Sequence, residues 1–93
     1  MGNLNKHDER VLQLTIQLKK QKYNVKADLP GFEKPDPIGK NNRIPDIEAT
    51  KNGITKLIEV ETERTLHSHK DQQSTFRRSA AQRKKTSFEI DVI

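Results

Sequence analysis

The pair Asn52-Gly53 stands between two runs of extended character, Arg43–Lys51 and Ile54–Thr62. Both central residues of a type I′ turn need φ > 0, and Asn-Gly meets that need at least cost, so the chain is predicted to double back here as a β-hairpin. A two-residue loop pairs Lys51 with Ile54 and thereby sets every later cross-strand pair. Asp46 then lies opposite Glu59, Ile44 opposite Glu61 and Glu48 opposite Leu57 on one face. On the other face Ile47 meets Ile58 and Pro45 meets Val60, so one side of the hairpin is acidic and the other apolar. Directly opposed like charges destabilise a sheet. Cβ atoms of opposed residues stand roughly 4.5–5.5 Å apart, close enough for two carboxylates to share one hard cation, and a divalent metal on this face would offset the repulsion. Two simpler readings remain open: a longer turn that shifts the register, or carboxylates that point into water.

The hairpin sits within a longer alternation of elements. From Asn5 to Lys22 the apolar residues Leu12, Leu14, Ile16 and Leu18 alternate as in a strand. Asn5 as a cap, Asp8 and Glu9 in a first turn, and Lys19, Lys20 and Lys22 in a last turn favour a helix instead. Tyr23 to Ala27 reads as a short strand. Residues 29–42 carry three prolines, two glycines and two asparagines and read as an extended Pro/Gly loop, of a length that is more often functional than filler. Residues 65–84 read as one helix with a stripe at Leu66, His69, Gln73, Phe76 and Ala80, and Phe88, Ile90 and Val92 mark one face of a final strand. The predicted order is αβββαβ, an α/β fold with a central mixed sheet flanked by helices.

Charge is distributed unevenly along this order. Residues 33–63 hold 5 basic and 7 acidic residues, whereas residues 64–85 hold 7 basic and 1 acidic. The second block suits a phosphate backbone, although a solvated helix face has the same composition. With 30% apolar residues in 93, one thin core can form, and a partner subunit would help to bury more surface. Cysteine is absent, which excludes disulfides and thiolate zinc sites. Val11–Leu18 is interrupted by Gln13, Thr15 and Gln17, so no membrane span or signal-peptide core is read there, and a cytoplasmic setting (host cytoplasm for a viral protein) is the expectation.

Arg43-Ile-Pro-Asp46, a short hairpin turn, and Leu57-Ile-Glu59-Val-Glu61 together resemble the PD-(D/E)XK nuclease motif. Glu9 in the first helix is similar to the extra acidic residue of the archaeal Holliday-junction resolvase branch, and the element order resembles the minimal core of those enzymes over nearly the whole chain. The resemblance implies a restriction-endonuclease-like core spanning residues 1–93 as a single domain. It also implies a metal-dependent DNA endonuclease, acting on branched DNA such as a Holliday junction or on duplex DNA and working as a homodimer. Asp46 and Glu59 would be the ligands of Mg²⁺ or Mn²⁺, with the carbonyl of Val60 a third, and Glu9 would bind or orient a second ion. The family lysine stands two residues after the motif Glu; here that position is Glu61, which can act as a base or an added ligand. Lys56 lies on the opposite strand face by parity and is no replacement.

Gln73 is a candidate for orienting water or phosphate, against the simpler reading of a solvent-exposed helix end. His67 and His69 diverge by about 200° on a helix and cannot both reach one ion. Arg77, Arg78, Arg83, Lys84 and Lys85 would neutralise flanking phosphates without specifying sequence. The alternative is a nuclease-fold protein that has lost cleavage and binds nucleic acid or serves as a subunit of a complex. A basic protein that binds RNA through its helix would fit the charge and leave the acidic hairpin face unexplained.

Overall fold

The computed structural model describes residues 5–93. In chain order the elements are α1 (Lys6–Lys20), β1 (Asn24–Ala27), β2 (Ile47–Lys51), β3 (Ile54–Glu61), α2 (Glu63–Ser68), α3 (Lys70–Gln82) and β4 (Thr86–Val92). The strands form one sheet in the order β1-β2-β3-β4. The first three are antiparallel, and β4 joins β3 in parallel after the helical crossover. This is the α/β class with a mixed sheet that the pattern predicts, and no described helix is long and apolar enough to cross a membrane.

The turn at Asn52-Gly53 has φ of 53° and 79°, the left-handed pair that a type I′ hairpin requires, and Lys51 pairs with Ile54 as predicted. The ladder then runs only to Ile47–Ile58. The predicted continuation through Ile44 is absent because Pro45 has no N–H to donate and the Asp46 N–H turns to a carboxylate instead of a strand carbonyl.

Helix α1 begins where Asn5 accepts the Asp8 N–H at 2.8 Å. Its buried face is Val11, Thr15 and Leu18, at helical spacing, so the strand-like alternation of the leucines is overridden; Ile16 is left exposed. The Thr15 hydroxyl donates to the Val11 carbonyl at 2.8 Å, which satisfies it inside the apolar layer. At the C-terminus Lys22 takes φ 72°, its N–H bonds the Lys19 carbonyl, and the Tyr23 N–H returns to Leu18. These are the bonds of a Schellman motif.

Helix α1 covers Val25, Ala27, Ile47, Ala49, Ile58 and Val60 on one face of the sheet, while Phe76 of α3 packs with Leu57, Ile38 and Phe88 on the other. The loop of residues 29–42 is pinned at both ends, with Leu29 in the first layer and Ile38 in the second. Ile38 and Arg43 exchange two backbone hydrogen bonds, of 2.7 and 2.9 Å, and so close a tight turn.

The single helix predicted over residues 65–84 is two helices. Thr62 and Thr65 form a reciprocal capping box that starts α2 at Glu63, and the chain breaks at His69 before α3. Arg83, Lys84 and Lys85 fall beyond α3, with Lys85 at φ 55° turning the chain into β4.

Candidate functional site

Strand β3 enters the interior between the two helical layers, so its last five residues, Leu57–Glu61, are all buried. Alternation sends Ile58 and Val60 to the α1 layer and leaves Glu59 and Glu61 on the side of Leu57 and Phe76. Glu59 is 2% exposed and Glu61 1% exposed. Carboxylates pointing into water are thereby ruled out on this face, and their burial requires compensation.

Asp46 sits in the bend immediately before β2 and is braced against β3 at two points. Its N–H donates to Oε1 of Glu59 at 2.8 Å, and the Val60 N–H donates to its Oδ2 at 2.8 Å. Asp46 and Glu59, predicted to pair across the hairpin, are linked instead by side-chain-to-backbone bonds beyond the end of the ladder. A third contact reaches Asp46 from the first turn of α1, where His7 Nε2 lies 3.1 Å from Oδ2 while His7 Nδ1 lies 3.0 Å from Asp8 Oδ1. A ring with a carboxylate at each nitrogen donates from both only as the imidazolium. Burial pulls the His7 pKa down, but the hydrogen bonds and charges of Asp8 and Asp46 outweigh it, and the value is raised.

Gln72 Nε2 donates to Oε2 of Glu59 at 2.9 Å, so both oxygens of Glu59 are engaged, each with a further lone pair free. Burial, and then the neighbouring charge of Asp46, push the Glu59 pKa up to about 8. Burial also raises that of Asp46. Glu61 is held from the break between α2 and α3: His69 Nδ1 bonds its Oε1 at 3.3 Å and stands 3.2 Å from Oε2 without hydrogen-bond alignment. Among the described residues, buried Oε2 of Glu61 has no aligned hydrogen-bond donor.

Of the residues the sequence nominates, Asp46, Glu59 and Glu61 are gathered at one end of the β2–β3 hairpin. Glu9 is exposed, and the α1 side chain that reaches Asp46 is His7. Gln73 is buried, so it is not a solvent-exposed helix end, but its amide donates to the Leu66 carbonyl at 3.0 Å and braces α2 against α3. Its neighbour Gln72 reaches the site. The stripe logic selects the most buried helical face, whereas a long side chain that must reach sideways to a strand sits at the edge of that face. His69 stands at Glu61 and His67 is exposed. No sequence signal marks His7, because its role depends on where α1 ends over the sheet. Val60 gives its N–H to Asp46.

The basic residues divide. Arg77 lies over the Phe88 ring at 5.6 Å, Arg78 and Arg83 line a groove beside α3, and Lys84 and Lys85 lie in the turn before β4. Lys56 lies over Tyr23 on the α1 side, as parity demands.

Among the described residues no three His, Cys, Asp or Glu side chains form a ready-made metal cage. A hard cation that keeps several waters needs only one or two carboxylates, and Asp46, Glu59 and Glu61 stand at one end of the hairpin, with His7 on Asp46 and His69 on Glu61. The donor chemistry fits Mg²⁺ or Mn²⁺. Comparison of the chain with protein-family models, curated proteins and solved structures finds no match.

Proposed function

We propose that this chain is a metal-dependent endonuclease with a restriction-endonuclease-like core that hydrolyses phosphodiester bonds in DNA. The observation that carries the proposal is the placement of Asp46, Glu59 and Glu61 at one end of the β2–β3 hairpin, with Glu59 and Glu61 buried and the Asp46 N–H bonded to Glu59 Oε1. A Mg²⁺ or Mn²⁺ ion held by Asp46, Glu59 and the carbonyl of Val60 would supply Lewis-acid polarisation of the phosphate and a lowered pKa for water.

The chain's own groups have separable tasks. His7 and the Val60 N–H fix the orientation of Asp46, and Gln72 fixes that of Glu59. Glu61, with Oε2 open, accepts the proton of the attacking water, the task that a base can take over where the family motif has lysine. His69 hydrogen-bonds Oε1 and orients that carboxylate. The cations around α3 neutralise flanking phosphates, contacts that carry no sequence information and suit selection of a branched substrate by shape. A homodimer would present two matched sites to such a substrate.

Glu61 in the lysine position also supports a second reading, a nuclease fold that binds nucleic acid without cutting it. One assay separates the two: a labelled panel of duplex, single strand, flap and four-way junction, incubated with Mg²⁺, Mn²⁺ or EDTA, with Asp46→Ala as control. Cutting that needs the metal and disappears in Asp46→Ala is the expected result. Binding that survives EDTA with no cutting of any substrate would overturn the enzyme and leave the binding protein.

A further inference from the structure

The turn of residues 38–43 lies against α3 and encloses with it a groove of about 510 Å³. Gly39 makes that approach possible. Its φ is +77°, and a Cβ on it would come within 2.6 Å of Thr75 Cγ2. The walls carry three cations, Lys40 from the turn with Arg78 and Arg83 from the helix side, and the polar groups of Asn41, Thr75 and Ser79. No acidic residue lines the groove. Such a lining suits neither an apolar ligand nor a peptide carboxylate alone; cations interleaved with hydroxyl and amide donors suit successive phosphate groups.

The groove also lies along the helix that reaches the carboxylate site. Gln72, which holds Glu59, is followed at helical spacing by Thr75 and Ser79 on the same flank of α3, beside the buried line of Gln73, Phe76 and Ala80. At 1.5 Å rise per residue the stripe from Gln72 to Ser79 extends about 10 Å from the carboxylates, and to Arg83 about 16 Å. One strand of a duplex advances about 3.4 Å per phosphate along its axis, so this length corresponds to roughly three to five phosphates.

We infer that the groove between the 38–43 turn and α3 is a phosphate-backbone track, which takes the DNA strand leading away from the carboxylates and holds it through Lys40, Arg78 and Arg83. The inference deepens the nuclease reading and rests on it for the identity of the polyanion. It predicts a division of labour within the basic block: Arg78 and Arg83 hold substrate together with a lysine from a distant loop, whereas Arg77 is occupied by Phe88.

The test is binding of a labelled duplex in EDTA, read by fluorescence anisotropy across a salt series, so that cutting plays no part. In the triple variant Lys40→Gln/Arg78→Gln/Arg83→Gln all three substitutions are at exposed positions. Its log–log salt slope is expected to shrink by about 0.9 for each lost contact. A triple variant of equal charge change at the C-terminal end of α1 and the turn after it, Lys19→Gln/Lys20→Gln/Lys22→Gln, is expected to leave the slope nearly unchanged. Ser79→Glu, a single change that sets a carboxylate among the cations, is expected to weaken binding about tenfold. Equal losses in the two triples, or parental binding by Ser79→Glu, would overturn the track. So would displacement of the duplex by inorganic tripolyphosphate at matched phosphate concentration, which would mark a site for free polyphosphate. Should the chain prove unable to cut, the track stands or falls on these slopes regardless.

Discussion

Asp46 and Glu59 are joined by the main chain of one and the side chain of the other: the Asp46 N–H donates to Glu59 Oε1 at 2.8 Å. The bond draws a buried carboxylate toward the bend that carries a second one, and the Val60 N–H completes the brace by donating to Asp46. Two acidic side chains are thus held near each other by backbone donors, with His7 a further partner on Asp46. Their separation is set by backbone geometry, and their electrostatic cost is left for a cation or a proton to offset.

Glu61 has a role that stability and activity report with opposite signs. Glu61→Gln removes the proton acceptor and is expected to lower metal-dependent cleavage by roughly 10²- to 10⁴-fold. The same change removes one of the charges acting on Glu59, so the melting temperature in EDTA rises. Cleavage at the parental rate would show that another group takes the proton.

The pH dependence of stability follows from three groups that share a sign. Asp46, Glu59 and His7 all have folded-state pKa values above their ordinary ones: burial does this for Asp46, burial and the Asp46 charge for Glu59, and for His7 the bonds to Asp8 and Asp46 exceed the burial effect. Folding therefore takes up protons. The contribution of Glu59 is full below pH 4.5 and is lost as the pH rises toward about 8, and that of His7 is full below 6.5 and lost through its raised value. Thermal melts in EDTA should show stability falling over this window, and a divalent cation should raise the melting temperature more at the alkaline end, where it competes with fewer protons. Glu59→Gln should flatten both trends; melting temperatures that climb with pH in EDTA would contradict the assignment.

Gln72 and Gln73 are adjacent and should fail differently. Gln73→Ala leaves the Leu66 carbonyl without its donor and opens a buried space, at an expected cost of about 1–3 kcal/mol in urea unfolding. Gln72→Ala should cost stability chiefly at alkaline pH, where the charged Glu59 loses its donor. It removes a hydrogen bond that holds the Glu59 pKa down, so the acid limb of the cleavage profile should move to higher pH.

Gly39 supports the turn that borders α3. Gly39→Ala meets both a left-handed backbone and Thr75 Cγ2, and should cost about 1–3 kcal/mol. Thr75→Ser keeps the hydroxyl that bonds the Asp71 carbonyl and removes the methyl. In the double variant the steric part of the loss should return and the backbone part should remain, a difference that denaturation midpoints of the four proteins resolve.

The hairpin was legible in the sequence because its cause is local. Asn52-Gly53 is a conformational requirement satisfied by two adjacent residues, and period-2 alternation then carries the register outward to Ile47 and Ile58. Asp46, Glu59 and Glu61 could be nominated for the same reason. The helix of residues 6–20 was readable from its cap and its end charges even though its leucines alternate, since capping is also local. The parts that were not legible depend on distance. Which end of the sheet His7 would reach, which of two glutamines would turn to Glu59, and that Lys40 would face Arg78 across a groove follow from how α1, α3 and the 38–43 turn settle on the sheet. Packing chooses among side chains that are equivalent in local pattern. The break at His69 is of this kind too: a periodic stripe continues through it, and only the Thr62–Thr65 cap and the Gln73–Leu66 bond make two helices there. The same folding turned an acidic strand face inward, converting a charge pattern that water would have tolerated into a buried site of raised pKa.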